Sequence, residues 1–150
     1  MSFLRSRGAL PLVVWFMLAC SQKGAEAPGI PLGAPGTAWA SKNDEQRFGY
    51  MAAQVHPVMS KLFIDYDADN VGFTCSNCHG ENMEQIDYAM PNESLYAMPS
   101  DRPYDDAIDF DAKIAVFMMT KVTSTMQDLF NRGDGAPTKV TCFTCHPKSD

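Results

Sequence analysis

Two short strings carry the residues with the most evident chemistry. Residues 75–79 (CSNCH) and residues 142–146 (CFTCH) both read Cys-x-x-Cys-His, and they lie 67 positions apart. Two thiols at this spacing can form thioethers to the two vinyl groups of a porphyrin, and the adjacent histidine can bind the iron as proximal ligand. The sequence therefore predicts two covalently bound haem c groups, held by Cys75, Cys78, His79, Cys142, Cys145 and His146.

Other uses of these cysteines explain less of the pattern. A structural zinc site needs four grouped ligands, whereas the two pairs are far apart in sequence and each is followed by a histidine. A thioredoxin-type pair needs a strand-to-helix setting, which is absent from the pattern of this sequence. Two disulfides would leave the two identically placed histidines unexplained.

Each iron also needs a sixth ligand or an open position. The chain has three histidines and ten methionines, so at most one haem could be bis-histidine, through His56. Methionine is more available, and it raises the reduction potential relative to a second histidine. We expect Met59 and Met126 as sixth ligands, with Met51 and Met118 as the next candidates and mixed sets including Met119 or His56 as a further alternative.

This choice of methionines rests on an internal repeat. Residues 58–79 (VMSKLFIDYDADNVGFTCSNCH) align without a gap with residues 125–146 (TMQDLFNRGDGAPTKVTCFTCH). The alignment pairs Met59 with Met126, and the same offset pairs Met51 with Met118. Each repeat therefore places equivalent methionines at equal distances before its first motif cysteine.

Helical periodicity precedes each motif. Apolar residues recur at helical spacing over residues 48–63 and 114–130. Ser41 and Asp44 resemble a capping box for the first helix, Pro57 is expected to kink it near His56, and Asp109 or Asp111 can cap the second. We predict a mainly α fold: a small c-type cytochrome of two helix–turn–CxxCH modules, with long loops and little or no sheet.

The N-terminal residues have the layout of an export signal. Arg5 and Arg7 precede an apolar run of roughly ten residues, which is too short to span a bilayer. The run ends at residues 17–20 (MLAC), as in a bacterial lipoprotein signal in which Cys20 is lipidated. Lipidation of Cys20 would leave four cysteines in two motif pairs. Ser21 follows instead of Asp, which favours the periplasmic face of the outer membrane over the inner membrane.

The remaining organisation follows from composition. We predict a signal peptide over 1–19, a flexible Ala/Gly/Pro tether over 20–41 and a dihaem domain over 42–150. Within that domain, repeat 1 covers about 44–80, an acidic insert about 81–110 and repeat 2 about 111–147.

Charge limits the partners. Loss of Arg5 and Arg7 with the signal takes the net charge from −6 to −8, which excludes non-specific nucleic-acid binding. From Glu81 to Asp111 the chain has nine acidic residues and one basic residue. This stretch is read as a solvated loop, or as a docking face for a basic redox partner. Within it, residues 88–91 and 96–99 both read YAMP, and Met90 or Met98 is a further candidate ligand for the first iron.

The methionine-bearing helix followed by a turn and CxxCH, present twice, resembles the cytochrome c subunit family of photosynthetic reaction centres and its dihaem relatives in non-phototrophic bacteria. The local likeness is strongest over residues 113–147. The resemblance favours Met118 or Met119 for the second iron, against the repeat argument, and several members of that family are lipoproteins. This chain departs from the family in having two sites instead of four and a long insert.

These observations predict a non-enzymatic electron-transfer protein. It would carry single electrons between periplasmic or membrane redox partners, such as basic cytochromes or a membrane respiratory complex, and would be held at the membrane by its lipid anchor. The alternatives are a small dihaem peroxidase or reductase with one open iron, and a haem subunit of a larger respiratory complex.

Overall fold

A computed structural model of the chain describes residues 36–133 and 137–149. The predicted signal peptide, Cys20 and the tether up to residue 35 lie outside these residues. The described part is mainly helical, which confirms the predicted mainly α class. Among the described residues, none of the helices is both long enough and apolar enough to cross a bilayer.

The first helical unit runs from residue 44 to residue 66. α1 (Asp44–Tyr50) leads into a π-helical turn (Met51–Val55), and α2 (His56–Tyr66) follows directly. The side chain of Asn43 accepts a hydrogen bond from the backbone N–H of Gln46, and the Gln46 side chain accepts from the Asn43 N–H. The predicted capping box of Ser41 and Asp44 is therefore wrong, because Asn43 and Gln46 form it instead.

The rest of the described chain contains a second helical unit and short elements around it. After α2 come a 3-10 turn (Ala68–Asn70), α3 (Ser76–His79), β1 (Met98–Pro99), α4 (Pro103–Phe117), a second π-helical turn (Met118–Val122), α5 (Thr123–Phe130), α6 (Cys142–Cys145) and β2 (Lys148–Ser149). The two strands pair in parallel, with Met98 opposite Lys148.

α4 is interrupted at Asp111. This residue has extended backbone angles, and its side chain accepts hydrogen bonds from the backbone N–H groups of Lys113 and Ile114 at 2.9 and 3.2 Å. Asp111, one of the two residues predicted as the cap, is thus the one that caps the helical segment leading into the second π turn. The residues before it, inside the predicted acidic insert, form a separate helical segment instead of a loop.

The two π turns occupy equivalent positions, since Met51–Val55 and Met118–Val122 are 67 residues apart. Pro57 was predicted to kink or interrupt the helix near His56, and the regular α-helical pattern does change there. The π turn ends at Val55, the His56 N–H bonds to the Met51 carbonyl, and α2 begins at His56 with Pro57 in its first turn. Proline is not the only cause of such a turn, because Ser124 occupies the equivalent place in the second unit.

The two units pack on each other reciprocally. α2 contacts the second π turn, and α5 contacts the first. Such paired contacts are what a two-fold relation between the units produces. They enclose one apolar core, made of Tyr50, Val55, Met59, Phe73, Phe117, Val122, Leu129, Phe130 and Val140.

Aromatic side chains stack on residues of this core. Phe117 stacks on Tyr66 at 4.1 Å between ring centroids, and Trp39 stacks on Phe130 at 4.5 Å. The Tyr50 hydroxyl donates to the Leu129 carbonyl at 2.7 Å. Because Trp39 packs here and Ala38 is buried, the folded part begins before the predicted boundary at residue 42.

Leu129 is the most buried large apolar side chain described, with 1% of its surface exposed. We expect Leu129→Ala to lower the free energy of unfolding of the haem-loaded protein by about 3 kcal/mol, because a cavity opens where the two units meet. Urea unfolding followed by circular dichroism measures this. Val71→Ala is the control, since Val71 is 78% exposed and its truncation should cost less than about 0.5 kcal/mol. Equal losses in the two variants would contradict the assignment of Leu129 to the shared core.

Candidate functional site

Each Cys-x-x-Cys-His string forms a single helical turn. The backbone N–H of His79 donates to the Cys75 carbonyl, and that of His146 donates to the Cys142 carbonyl, both at 2.9 Å. Residues three apart on a helical turn lie on the same side. The turn therefore presents both thiols of a motif in one direction, as attachment to two vinyl groups of one porphyrin requires.

Side chains at equivalent positions of the two motifs accept a hydrogen bond from the backbone N–H at the start of each turn. The Thr74 N–H donates to the Asn77 side chain at 2.7 Å, and the Thr141 N–H donates to the Thr144 hydroxyl at 2.9 Å. Asn77 and Thr144 are the second variable residues of the two motifs. The residues between the cysteines thus fix the geometry of the turn, by chemically different side chains at the same position.

The segments that enter the motifs are held by the helices before them. In the first unit His56 Nε2 lies 3.2 Å from the Phe73 carbonyl. In the second, the Gln127 side chain accepts from the Val140 N–H at 2.8 Å and donates to the Thr138 carbonyl. His56 is therefore committed through Nε2 to the backbone just before the first motif, which weakens its candidacy as a sixth ligand.

The two motif histidines differ in what their rings contact. His146 Nδ1 lies 2.9 Å from the Tyr96 carbonyl. Because a carbonyl only accepts, Nδ1 carries the proton and Nε2 of the neutral ring is left with its lone pair, the form in which imidazole binds a metal. The partner comes from the insert, fifty residues earlier in the chain.

The His79 ring is enclosed on its Nδ1 side. Nδ1 is buried without a hydrogen-bond partner, and the ring packs edge-on against Tyr88, with 5.8 Å between centroids. Burial lowers the pKa of His79, and an interaction with the Tyr88 backbone opposes this shift in part. That interaction does not meet hydrogen-bond geometry at Nδ1. The lowered pKa favours the neutral imidazole that can ligate iron.

A buried polar network holds the loop after the first motif. Asn92 is 1% exposed; its amide donates to the His79 carbonyl and, at 2.7 Å, to the Asn82 side chain. The Asn92 side-chain oxygen accepts from the Ser94 N–H at 2.8 Å. Asn92 therefore ties the backbone of His79 to the insert.

The four motif cysteines are free thiols in the structure. Burial, followed by the nearby Cys145 and then Cys75, raises the pKa of Cys78 to about 11. Burial and Cys142 raise the pKa of Cys145. The effect of Cys145 on Cys78 means that the second cysteines of the two motifs lie close to each other, although they are far apart in sequence.

These residues fit haem better than a bare metal ion. In residues 36–133 and 137–149, no group of three or more His, Cys, Asp or Glu side chains could hold a metal. A haem needs no such group, since the porphyrin supplies four nitrogens and the protein adds at most two axial ligands. The one-turn motifs would supply the attachment points of a haem, and Nε2 of His146 would supply an axial ligand.

The predicted methionine ligands all lie at the shared core. Met59 is 3% exposed and is part of it, while Met51, Met118 and Met126 are half-buried against it. Cys78 packs against the same core. The structure therefore brings the four methionines and one motif cysteine to a common apolar region, and the choice between the two pairs stays a prediction.

Met98 lies beside the second motif. Its backbone N–H donates to the Pro147 carbonyl at 2.9 Å, and it pairs with Lys148. The strand pairing thus places Met98 next to the second motif, and its suggested role as a ligand of the first iron stays a prediction.

Two residues of the site were not found from the sequence. Tyr96 supplies its carbonyl to His146, and the duplicated YAMP string was the only available signal. Asn92 supports His79 from within an ordinary polar stretch, and no local pattern marks it.

Comparisons with protein-family models, with curated proteins and with solved structures found no match to this chain.

Gly80 follows the first motif with φ +77°, and a Cβ atom there would lie 2.8 Å from Asn92 Nδ2. We expect Gly80→Ala to lower the free energy of unfolding of the haem-loaded protein by about 2–4 kcal/mol, from the unfavourable φ plus the clash with the Asn92 network. The loss is measured by urea unfolding.

Gly72→Ala is the matched control. Gly72 also has positive φ, +91°, but nothing lies within 4 Å of the position that a Cβ atom would take there, so only the backbone cost of about 1 kcal/mol should apply. If the two variants lost the same stability, the packing around Asn92 would not constrain the first motif.

Proposed function

We propose that this protein is a dihaem c-type cytochrome that carries single electrons between redox partners. Haem c would be bound through Cys75 and Cys78 in the first motif and through Cys142 and Cys145 in the second, with His79 and His146 as proximal ligands. When bound, haem supplies one-electron chemistry at its iron.

The observation that carries this proposal is the pairing of two equivalent motifs in one fold. Both strings form the same helical turn with the same 2.9 Å bond, and Cys145 is near enough to Cys78 to raise its pKa. Haems attached to two such neighbouring turns would lie near each other. That arrangement suits transfer of an electron between them within one protein.

The chain's own residues would bind and shield the two groups. The thiols fix each porphyrin, while the capping bonds at Thr74 and Thr141 hold the turns that carry them. The apolar core shared by the two units supplies a low-dielectric surface, on which the proposed sixth ligands Met59 and Met126 are located. Two filled axial positions on each iron would favour electron transfer over substrate binding.

The surroundings follow from the sequence. The signal-like N-terminus supports export, with a lipid on Cys20 that would hold the protein on the periplasmic side of a membrane, the outer membrane being favoured. The net charge of −8 after removal of the signal supports basic redox proteins or a membrane respiratory complex as partners.

Haem attachment is tested by mass spectrometry of the protein purified from a host that matures c-type cytochromes. We expect the mass of the processed chain plus two haems. The double variant Cys75→Ser/Cys78→Ser should carry one haem, and Cys142→Ser/Cys145→Ser should also carry one, because each pair of thioethers is removed separately.

Cys20→Ser is the control for these variants, since it removes a thiol outside the two motifs. It should keep both haems and lose membrane association. A wild-type protein without covalently bound haem would overturn the proposed function.

The sixth ligands are tested by redox titration of single variants. We expect Met59→His and Met126→His each to lower one midpoint potential by on the order of 0.1 V, because histidine in place of methionine stabilises the ferric iron. Met51→His and Met118→His are the matched controls and should leave both midpoints within the experimental error. If only the control variants shift a midpoint, Met51 and Met118 are the ligands.

A further inference from the structure

The duplicated YAMP segments have no part in the function proposed above, yet each lies against a different motif histidine. The first copy, residues 88–91, places the Tyr88 ring edge-on to His79. The second copy, residues 96–99, places the Tyr96 carbonyl 2.9 Å from His146 Nδ1. The same four-residue string therefore accompanies both histidines but interacts with them differently.

The second copy is held from several directions. The Tyr96 hydroxyl donates to the Asp106 carboxylate at 2.6 Å, and the Tyr96 ring packs against Phe110 at 4.8 Å between centroids. Two residues on, the Met98 N–H donates to the Pro147 carbonyl, next to His146 itself. The Tyr96 carbonyl is thus fixed between α4 and the end of the second motif.

The first copy is held differently: the Tyr88 ring packs edge-on against Phe48 with 5.5 Å between centroids, and the Tyr88 N–H donates to the Met83 carbonyl at 2.8 Å. No hydrogen bond of the Tyr88 hydroxyl is found among the described residues, and Tyr88 has φ +56°. Nδ1 of His79 is buried, and the Tyr88 backbone interacts with this histidine without meeting hydrogen-bond geometry at Nδ1. The two histidines are therefore alike in sequence context and unlike in the support that their rings receive.

This difference matters chemically if the histidines ligate iron. A ring that donates its Nδ1–H to a carbonyl is fixed in orientation, and its other nitrogen becomes a stronger electron donor. Stronger donation stabilises the ferric state relative to the ferrous state and lowers the reduction potential. Loss of the hydrogen bond should have the opposite effect.

We propose that Tyr96, anchored through its hydroxyl to Asp106, is the positioning residue of His146 and lowers the potential of the second haem. This inference rests on the proposed function. It assigns a redox-tuning role to a residue of the insert that touches neither the iron nor the porphyrin attachment points.

The test uses the haem-loaded protein with Tyr96→Phe, Asp106→Asn and the double variant. Each single change removes the hydroxyl–carboxylate bond without removing the carbonyl. One of the two midpoint potentials should rise by at least ~28 mV. This rise corresponds to about a threefold change in the ratio of reduced to oxidised haem, at ~59 mV per tenfold for one electron. The double variant should rise no further, since both changes remove the same bond.

Two tyrosines offer matched controls. Tyr104 is 57% exposed on the same helix as Asp106, and Tyr88 is the equivalent residue at the first motif. Tyr104→Phe and Tyr88→Phe remove the same atom and should leave the midpoint of the second haem unchanged.

A second readout is the Nδ1 proton of His146 in the reduced protein, observed by nitrogen-15 NMR. Its exchange with solvent should be faster in Tyr96→Phe than in the wild type, because its acceptor is held less firmly. Unchanged midpoints and unchanged exchange, in variants that carry both haems, would overturn the inference and leave the proposed function intact. Failure of the wild type to bind haem would instead overturn the proposed function itself.

Discussion

The reciprocal packing of the two helical units is the constraint on which the other features depend. Neither unit has a partner for its apolar side on its own, so each second helix covers the π turn of the other unit. Leu129, fully buried at this junction, also supplies the carbonyl that accepts from Tyr50 across the two units. Since each motif follows its helix at the same distance in sequence, the packing of the helices also decides where the two motifs lie.

The insert changes this near-symmetric arrangement. It contributes a buried amide to the carbonyl of His79, through Asn92, and a backbone carbonyl to the ring of His146, through Tyr96. One contact therefore fixes the backbone of a motif histidine, and the other fixes an imidazole. The short parallel pair of Met98 with Lys148 adds a third connection, at the second motif alone. A polar and acidic segment that would be read as a loop is thus one source of the differences between the two sites.

The sequence predicted the features that depend on local spacing. Apolar periodicity located both long helices, Asp111 was one of the two residues predicted as a cap, and the offset of 67 residues identified equivalent positions. The π turns were not predicted, because one extra residue per turn alters the apolar spacing too little to be distinguished from an ordinary helix. The roles of Asn92 and Tyr96 were not predicted either, since their partners lie 13 and 50 residues away. The prediction for Pro57 located an irregularity near His56 but not its form, which is a π turn.

In the dihaem protein proposed above, two sites made by repetition of one module would begin with similar chemistry, and equal potentials would give an electron no preferred position between them. Inequality can come from differences within the repeats, such as Asn77 in the first motif and Thr144 in the second, and from residues outside them. In this chain the insert is placed between the repeats and reaches both histidines, so it can act on each of them separately. A backbone carbonyl is suited to setting the environment of His146, because a substitution of Tyr96 leaves the carbonyl in place in the chain. A substitution can change only the position of that carbonyl relative to the His146 ring. The side chains that hold that position, Tyr96 and Asp106, lie at an exposed hydrogen bond on the surface of the insert. A partner that docks on this acidic surface would contact the same pair of residues, which connects partner binding to the environment of His146 through a single hydrogen bond.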